Sequence, residues 1–177
     1  MQIKVTKLTD LKLMQKACEA TMHGAKSNVS LRDIYRCEHS PIRTSLFWVE
    51  LIDIPTFASV HLTRHKIGVE HYVTSNRDDR GGDGEETRWT PVNHSLLINA
   101  QALINMSRKR LCGKAHVMVQ GIMADIREEV KTCDPDLAEF MVRECQYRGG
   151  HCFEFKPCGN LWQPESVKPP EANRMGA

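Results

Sequence analysis

Basic side chains recur in four segments of the middle of the sequence, and their types suit the binding of an anion. The first segment is the triplet Arg64-His65-Lys66, directly after the mostly apolar stretch "PTFASVHLT". The others contain Arg77 and Arg80, then Arg88, then Arg108, Lys109 and Arg110. Arginine grips phosphate oxygens with two parallel hydrogen bonds, and lysine adds a point charge. Alternatively, cations near helix C-termini only complement the helix dipole, worth about 0.3–1 kcal/mol each.

Amide side chains are a second group that could bind a ligand. Asn99 and Asn105 lie six residues apart among apolar neighbours, with Gln101 between them. Each amide carries donors and an acceptor, which suits recognition of a flat heterocycle. The same residues would also be ordinary on the surface of a helix, so this pattern alone leaves both interpretations open.

Cysteine and histidine gather near the C-terminal end, where Cys145, His151, Cys152 and Cys158 fall within fourteen residues. Zinc favours these ligands, but structural zinc sites usually pair cysteines two to four residues apart. Here the cysteines are separated by seven and six positions. The spacing favours a packed or solvated segment over a metal site, and "HCFEF" in this stretch could form a last strand.

The composition is that of an ordinary folded protein. The chain has 177 residues, 41% apolar and 26% charged, which is enough to bury a core and argues against general disorder. A net charge of +2 is too small to indicate a nucleic-acid-binding protein. No apolar run approaches the ~20 residues of a membrane span, and the first residues do not resemble a signal peptide. We therefore expect a cytoplasmic protein with seven reduced cysteines.

Elements that could position these residues follow from periodicity. "QIKVTKL" and "RTSLFWVELIDI" are the best candidate strands, at residues 2–8 and 43–54. A helix over 55–66 would then begin at Pro55 and carry Arg64 and His65 to its C-terminal end. Residues 77–90 have no apolar face and are predicted to form a mobile loop.

Four further helices complete the prediction. They cover residues 9–22, with Thr9 or Asp10 as N-cap; 93–110; 114–133; and 134–145, with Asp134 as N-cap and Pro135 in the first turn. In the helix over 114–133, we expect Val117, Ile122, Ile126 and Val130 on the buried side.

These elements predict an α+β fold in which helices flank a small antiparallel sheet. One domain would span residues 1–160, and the proline-rich tail 161–177 is expected to be disordered. Because so small a sheet is thin for a monomer, we also expect an oligomer.

Taken together and in order, the motifs resemble those of the flavin-dependent thymidylate synthases. That family has an Arg-His-Arg triplet, a short spacer, a Ser-x-Arg and later Asn-x-x-Ser-Leu-x-Asn-x-x-x-x-Arg on a helix. Here the matching stretches are "RHK", then "SNR", then "TRWTP", then "NAQALINMSRKR". The resemblance extends over residues 35 to about 145.

The resemblance implies a helix-flanked antiparallel sheet and a homotetramer with active sites between subunits. It further implies an enzyme that binds FAD, reduces it with NADPH and transfers a one-carbon unit from methylenetetrahydrofolate to C5 of dUMP. No cysteine nucleophile is required, and neither a membrane nor a nucleic acid is implied as a partner. The compact size would fit a phage-borne copy acting in the host cytoplasm.

The resemblance also implies roles for individual residues. Arg64 would face both flavin and nucleotide, His65 and Lys66 would contact FAD phosphates, and Asn99 and Asn105 would contact the flavin. Arg110 would hold the uracil ring and stabilise developing negative charge. The residues implied for the dUMP phosphate are Ser75, Arg77 and Arg88.

Two departures from the family pattern leave other functions open. The third residue of the triplet is Lys66 rather than arginine, and the spacer "IGVEHYVT" lacks the serine and Asn-Glu pair of the family. They motivate a relative that hydroxymethylates dUMP or modifies another pyrimidine nucleotide. A third class is a non-catalytic nucleotide- or nucleic-acid-binding module, against which the low net charge argues.

Overall fold

The structure is a computed structural model that describes residues 1–82 and 84–160. The predicted C-terminal tail, residues 161–177, lies outside the described residues. Within the described residues, no helix is long and apolar enough to cross a membrane.

Four strands form one antiparallel sheet in the described part of the chain. They are β1 (Gln2–Lys7), β2 (Leu46–Pro55), β3 (Val69–Val73) and β4 (Pro91–Asn99), in the spatial order β1-β2-β4-β3. The predicted α+β fold with a small antiparallel sheet is therefore confirmed, with more strands than the sequence indicated. Between Leu51 and Ile54 the β2–β4 register shifts at a bulge, where Asp53 adopts a φ of 57°.

Seven α-helices surround the sheet in the described residues. They are α1 (Leu11–Glu19), α2 (Leu31–Cys37), α3 (Thr56–Leu62), α4 (Ala100–Arg110), α5 (Val117–Cys133), α6 (Pro135–Phe140) and α7 (Glu144–Tyr147). Asp10 is the N-cap of α1 and accepts from the backbone N–H of Leu13, which confirms one of the two predicted caps. The helix predicted over 134–145 is instead two short helices separated by an extended turn.

One face of the sheet forms the core together with α3 and α5. Phe47, Val49 and Leu51 alternate into this core from β2 and are at most 1% exposed. In α5, Ile122, Ile126 and Val130 are fully buried as predicted, whereas Val117 is 76% exposed. That part of the prediction was wrong because Val117 is the first residue of the helix, beyond the edge of the packed face.

Residues 93–99 form strand β4, not the start of a helix, so this prediction was wrong. Their burial alternates with a period of two, with His94, Leu96 and Ile98 buried. Leu96 also fits a helical spacing with Ala100, Leu103 and Ile104, which explains the misassignment. Pairing with both β2 and β3 determines the outcome.

Two other strand assignments differ between the sequence prediction and the structure. The spacer "VEHYV" is strand β3, which the sequence did not predict because it is short and carries charged and histidine residues. Conversely, "HCFEF" is not a strand, and Phe153 and Phe155 in it are exposed.

Asp134 confirms a predicted cap and joins a buried network. Its side chain accepts from the backbone N–H of Leu137, at the start of α6, with Pro135 in the first turn. Its other oxygen, Oδ2, accepts from Lys7 and from the Tyr35 hydroxyl, both at 2.6 Å. Burial and the carboxylate of Asp134 raise the pKa of Tyr35. The network therefore ties β1 and α2 to the start of α6.

Candidate ligand-binding site

Arg110, the last residue of α4, is hydrogen-bonded to the end of α3 and to the turn that follows it. Its Nε–H donates to Nε2 of His65 at 2.9 Å, and its Nη2 donates to the backbone carbonyl of His61 at 2.7 Å. Helix α3 ends at Leu62 with Thr63 as C-cap, so the triplet lies in a turn beyond the helix. The structure thus brings together two segments that the sequence motifs placed in one site.

The bond from Arg110 determines the protonation of His65. Because an arginine nitrogen can only donate, Nε2 of His65 must be the acceptor, and the neutral ring carries its proton on Nδ1. Burial, with the charges of Arg110 and His71, lowers the pKa of His65 to about 4. His65 is therefore an uncharged imidazole at neutral pH.

The positive charge of Arg110 has only neutral hydrogen-bond partners in the described part of the chain. Burial and the nearby charge of Arg64 lower the pKa of Arg110, although a guanidinium remains protonated. A half-buried cation of this kind is stabilised by an incoming anion, or by negative charge that develops on a bound ligand.

A cavity of about 360 Å³ opens beside Arg110 and His65. Its walls come from the end of α4, the α4–α5 connection and residues 143–158. Six basic side chains line it: Arg108, Lys109, Arg110, Lys114, Arg143 and Arg148. We call this the basic cavity.

Carboxylates neutralise only part of that charge. Arg108 is paired with Glu38, while Lys109 and Arg148 share Glu144. Arg110, Lys114 and Arg143 form no ion pair among the described residues. The basic cavity therefore has a positive excess that suits an anionic ligand.

Asn99 and Asn105 both lie near this region, but each has an internal role. The side chain of Asn99 caps α4 by accepting from the backbone N–H of Ala102. The backbone N–H of Asn99 donates to the carbonyl of Gly68 at 3.0 Å. Asn105 is exposed and accepts from Arg108 at 3.2 Å. A side chain at Gly68 would meet the Asn99 amide at 2.3 Å, so glycine permits this approach.

Arg64 and Lys66 flank His65 and are exposed. In the described residues neither forms an ion pair. Their charges are therefore available to an anion that binds beside His65.

Ser75 and Arg77 lie elsewhere in the same chain. They line a second cavity, of about 680 Å³, between α3 and the loop after β3. Arg77 forms a two-pronged pair with Asp79, at 2.8 and 2.6 Å, and is exposed. Arg88 lies over the rings of Phe57 and Trp89, 5.0 and 5.4 Å from their centroids. Ser75 and Arg77 therefore lie in a different cavity from Arg110, and Arg88 lines a third.

The sequence prediction missed three histidines near the triplet. His61 has a buried Nδ1 without a hydrogen-bond partner in the described residues, and burial lowers its pKa. His71 and His94 face the core from β3 and β4, where the two-residue period of "HYV" and "NHSLLI" was the signal that could have found them. No group of three or more potential metal ligands occurs in the described ranges, Cys145 to Cys158 included.

The donors around Arg110 fit an anionic cofactor such as FAD in charge and type. Arg64 and Lys66 offer unpaired cations for a diphosphate, and the basic cavity combines polar donors with apolar wall atoms. A volume of about 360 Å³ is at the small end for ligand pockets, so the cavity of one chain would hold only part of such a molecule.

No family model matches the sequence, and no curated protein matches it either. Solved structures do match. Thymidylate synthase X from Helicobacter pylori with FAD and dUMP has a TM-score of 0.64 and 15% identity, over 80% of this chain and 99% of that chain. A second structure of the flavin-dependent enzyme from this organism, complexed with FAD and dUMP, has a TM-score of 0.65 and 12% identity, over 81% and 100%. A UMP/dUMP methylase from Streptomyces cacaoi, bound with 5-Br dUMP, has a TM-score of 0.59 and 14% identity, over 78% and 94%.

At these identities the similarity establishes the architecture, and it agrees with the motif resemblance found independently in residues 35 to 145. The match extends over nearly the whole of each Helicobacter pylori chain. The chain has the fold of the flavin-dependent thymidylate synthases.

Proposed function

We propose that the protein is an FAD-dependent enzyme that transfers a one-carbon unit from methylenetetrahydrofolate to C5 of dUMP, giving dTMP, with NADPH as reductant. One observation carries the proposal: Arg110 is hydrogen-bonded to His65, 45 residues away. These are the two positions at which the family's triplet and helix motifs would meet. The shared fold and the positive basic cavity support it.

In this proposal, Arg110 binds the pyrimidine ring and stabilises negative charge that develops on it during C5 substitution. Its bonds to His65 and to the His61 carbonyl fix the guanidinium before the ligand arrives, and such preorganisation is what makes a cation an effective electrostatic catalyst. Bound flavin would supply the reducing equivalents. Arg64, His65, Lys66, Asn99 and Asn105 would hold it.

Ser75, Arg77 and Arg88 would bind the nucleotide phosphate. Because Ser75 and Arg77 line a different cavity from Arg110, and Arg88 lines a third, we propose that a site is completed by residues from neighbouring subunits of a homotetramer. The outer face of the sheet carries partly exposed aromatic side chains, which supports oligomerisation. There the rings of Trp48 and Tyr72 lie 5.5 Å apart with an interplanar angle of 38°, and Tyr72 is 52% exposed.

The test is a flavin spectrum of the purified protein, followed by tritium release from C5-labelled dUMP with methylenetetrahydrofolate and NADPH. We expect bound flavin, and turnover that is lost in Arg110→Ala but kept in Arg36→Ala, which removes an exposed arginine of α2. A colourless protein that cannot be reconstituted with FAD contradicts the proposal. Salt-sensitive binding of RNA or DNA without flavin would instead support a nucleic-acid-binding module.

A second candidate keeps the fold and changes the substrate or the product. Two observations favour it: the spacer after the triplet is strand β3, which places His71 rather than an acidic residue beside His65, and one structural neighbour is described as a UMP/dUMP methylase. Assaying UMP, dUMP and dCMP in parallel, with mass analysis of the product, separates methylation of dUMP from hydroxymethylation or another pyrimidine substrate.

A further inference from the structure

A chain of buried polar side chains connects the core of the protein to the turn that carries His65. Ser59 on α3 and His94 on β4 are almost completely buried, and His71 on β3 is half-buried. The Ser59 hydroxyl lies 3.0 Å from Nδ1 of His94, whose Nε2 lies 2.9 Å from Nδ1 of His71. Nε2 of His71 lies 2.7 Å from the backbone carbonyl of His65.

Chemistry fixes the direction of every hydrogen bond in this chain when His71 is neutral. A carbonyl only accepts, so His71 must carry its proton on Nε2 and use Nδ1 as an acceptor. His94 then donates from Nε2, and its Nδ1 accepts from the Ser59 hydroxyl. Burial and the proximity of His71 lower the pKa of His94 to about 4, which keeps its ring neutral.

This series of hydrogen bonds ends at His65, whose side chain is itself hydrogen-bonded to Arg110. His71 holds the backbone carbonyl of His65, while the side chain of the same residue accepts from Arg110. An imidazole pair adds little net stability to a core, because burial removes the hydration of each ring and the internal hydrogen bonds mainly offset that loss. Their shared endpoint on the His65 turn indicates what they position.

We propose that Ser59, His94 and His71 are positioning residues, which hold the His65 turn so that its imidazole accepts from Arg110 and the guanidinium is aimed into the basic cavity. The ligand-binding consequence rests on the proposed function. The positioning itself is a property of the ligand-free protein.

The variants His71→Gln and His71→Phe test this. Glutamine can place an N–H near the position of Nε2 and still donate to the His65 carbonyl, whereas phenylalanine fills the space without a donor. His39→Gln is the control, because His39 is exposed and its side chain forms no hydrogen bond to a described residue. Ser59→Ala alters the opposite end of this hydrogen-bonded series and is a milder variant should His71→Phe fail to fold.

The first readout is nitrogen-15 NMR of the imidazoles without ligand. In the wild type we expect His65 to be neutral with its proton on Nδ1, and His94 neutral with its proton on Nε2. His71→Phe should move the His65 pKa up towards its ordinary value and remove the Nδ1-protonated preference, and His71→Gln should retain both. Wild-type His65 signals in His71→Phe and in Ser59→Ala would overturn the positioning role.

The second readout is steady-state kinetics with dUMP. We expect His71→Phe to lower kcat by about ten- to a hundredfold, because misplacing a catalytic group by about 1 Å has effects of this size. His71→Gln should recover most of kcat, and KM should change less than kcat. Equal losses in both variants, or no loss in either, would overturn the proposal. If wild-type protein lacks flavin and turnover but the NMR result holds, the proposed function fails and the positioning role stands.

Discussion

The guanidinium of Arg110 and the imidazole of His65 form a hydrogen bond of 2.9 Å across 45 residues of sequence. The bond makes His65 an obligatory acceptor, and in the described part of the chain the charge of Arg110 has no carboxylate partner. A protein that needed this arginine only for stability would be expected to pair it with an acid. The arrangement instead keeps a fixed cation, unpaired among the described residues, at the wall of a cavity.

Arg110→Ala should therefore abolish turnover with little loss of stability. Removing one preorganised donor of this type commonly lowers kcat by about 100- to 1000-fold. Arg110→Lys keeps a charge but not the Nε–H that donates to His65, so it should recover little. Steady-state assays measure the loss, and thermal unfolding measures stability. A large fall in melting temperature would show that Arg110 is structural.

Asn99 should contribute to stability and to cofactor binding through different atoms. Asn99→Ala removes the N-cap of α4 and should cost about 1 kcal/mol, whereas Asn99→Ser keeps a capping oxygen and should cost much less. If the amide also contacts the flavin, both variants should weaken FAD binding equally. Chemical denaturation and flavin titration separate the two effects. Normal FAD affinity in Asn99→Ser would exclude the amide contact.

Asp134→Ala should destabilise the fold without touching the site. The substitution leaves the buried Tyr35 hydroxyl and Lys7 without their carboxylate and removes the cap of α6. Losing one partner of a buried charged pair costs about 3 kcal/mol or more. Asp136→Ala is the matched control, since that side chain is exposed. Urea unfolding of the two variants should differ by most of this amount, and equal midpoints would contradict the role of the network.

Stability should fall when the pH is lowered through the weakly acidic range. His65 and His94 have pKa values of about 4 in the folded protein, below the ordinary value of 6.5 that applies after unfolding. Between these values the unfolded chain binds more protons, so the free energy of unfolding decreases as pH falls, and it is level above about pH 6.5.

Urea midpoints at about pH 7 and about pH 5 test this dependence, because most carboxylates remain ionised in that range. We expect a clear decrease in the wild type and a smaller one in His94→Asn. The exposed-histidine variant His39→Gln should behave as the wild type. Midpoints that do not change with pH would show that the two imidazoles are not held neutral by the fold.

The sequence allowed prediction of the parts of this fold that depend on local signals. The cap Asp134 was predicted, and the first cap was narrowed to Thr9 or Asp10, because capping needs only a short polar side chain at a helix start. Strand β4 was missed because Leu96 fits both periods, and only pairing with β2 and β3 decides between them. Arg110 and His65 were placed together by resemblance to a family. His71 and His94 were not, because their contacts depend on strand register.

Subunit complementation tests how the two groups of predicted residues cooperate. Arg110 lines one cavity, and Ser75 and Arg77 line another in the same chain. If sites are assembled between subunits, Arg110→Ala and Arg77→Ala should each be inactive alone, yet mixed oligomers should regain activity. In such oligomers some sites receive an intact residue from each parent.

Refolding the variants together, with each refolded alone as control, gives the comparison, and size-exclusion chromatography with light scattering gives the oligomeric state. No recovery of activity in confirmed mixed oligomers would mean that Arg77 and Arg110 of the same subunit contact the same bound ligand. Arg77 would then have to give up its ion pair with Asp79 and reach across the surface of α3 to that ligand.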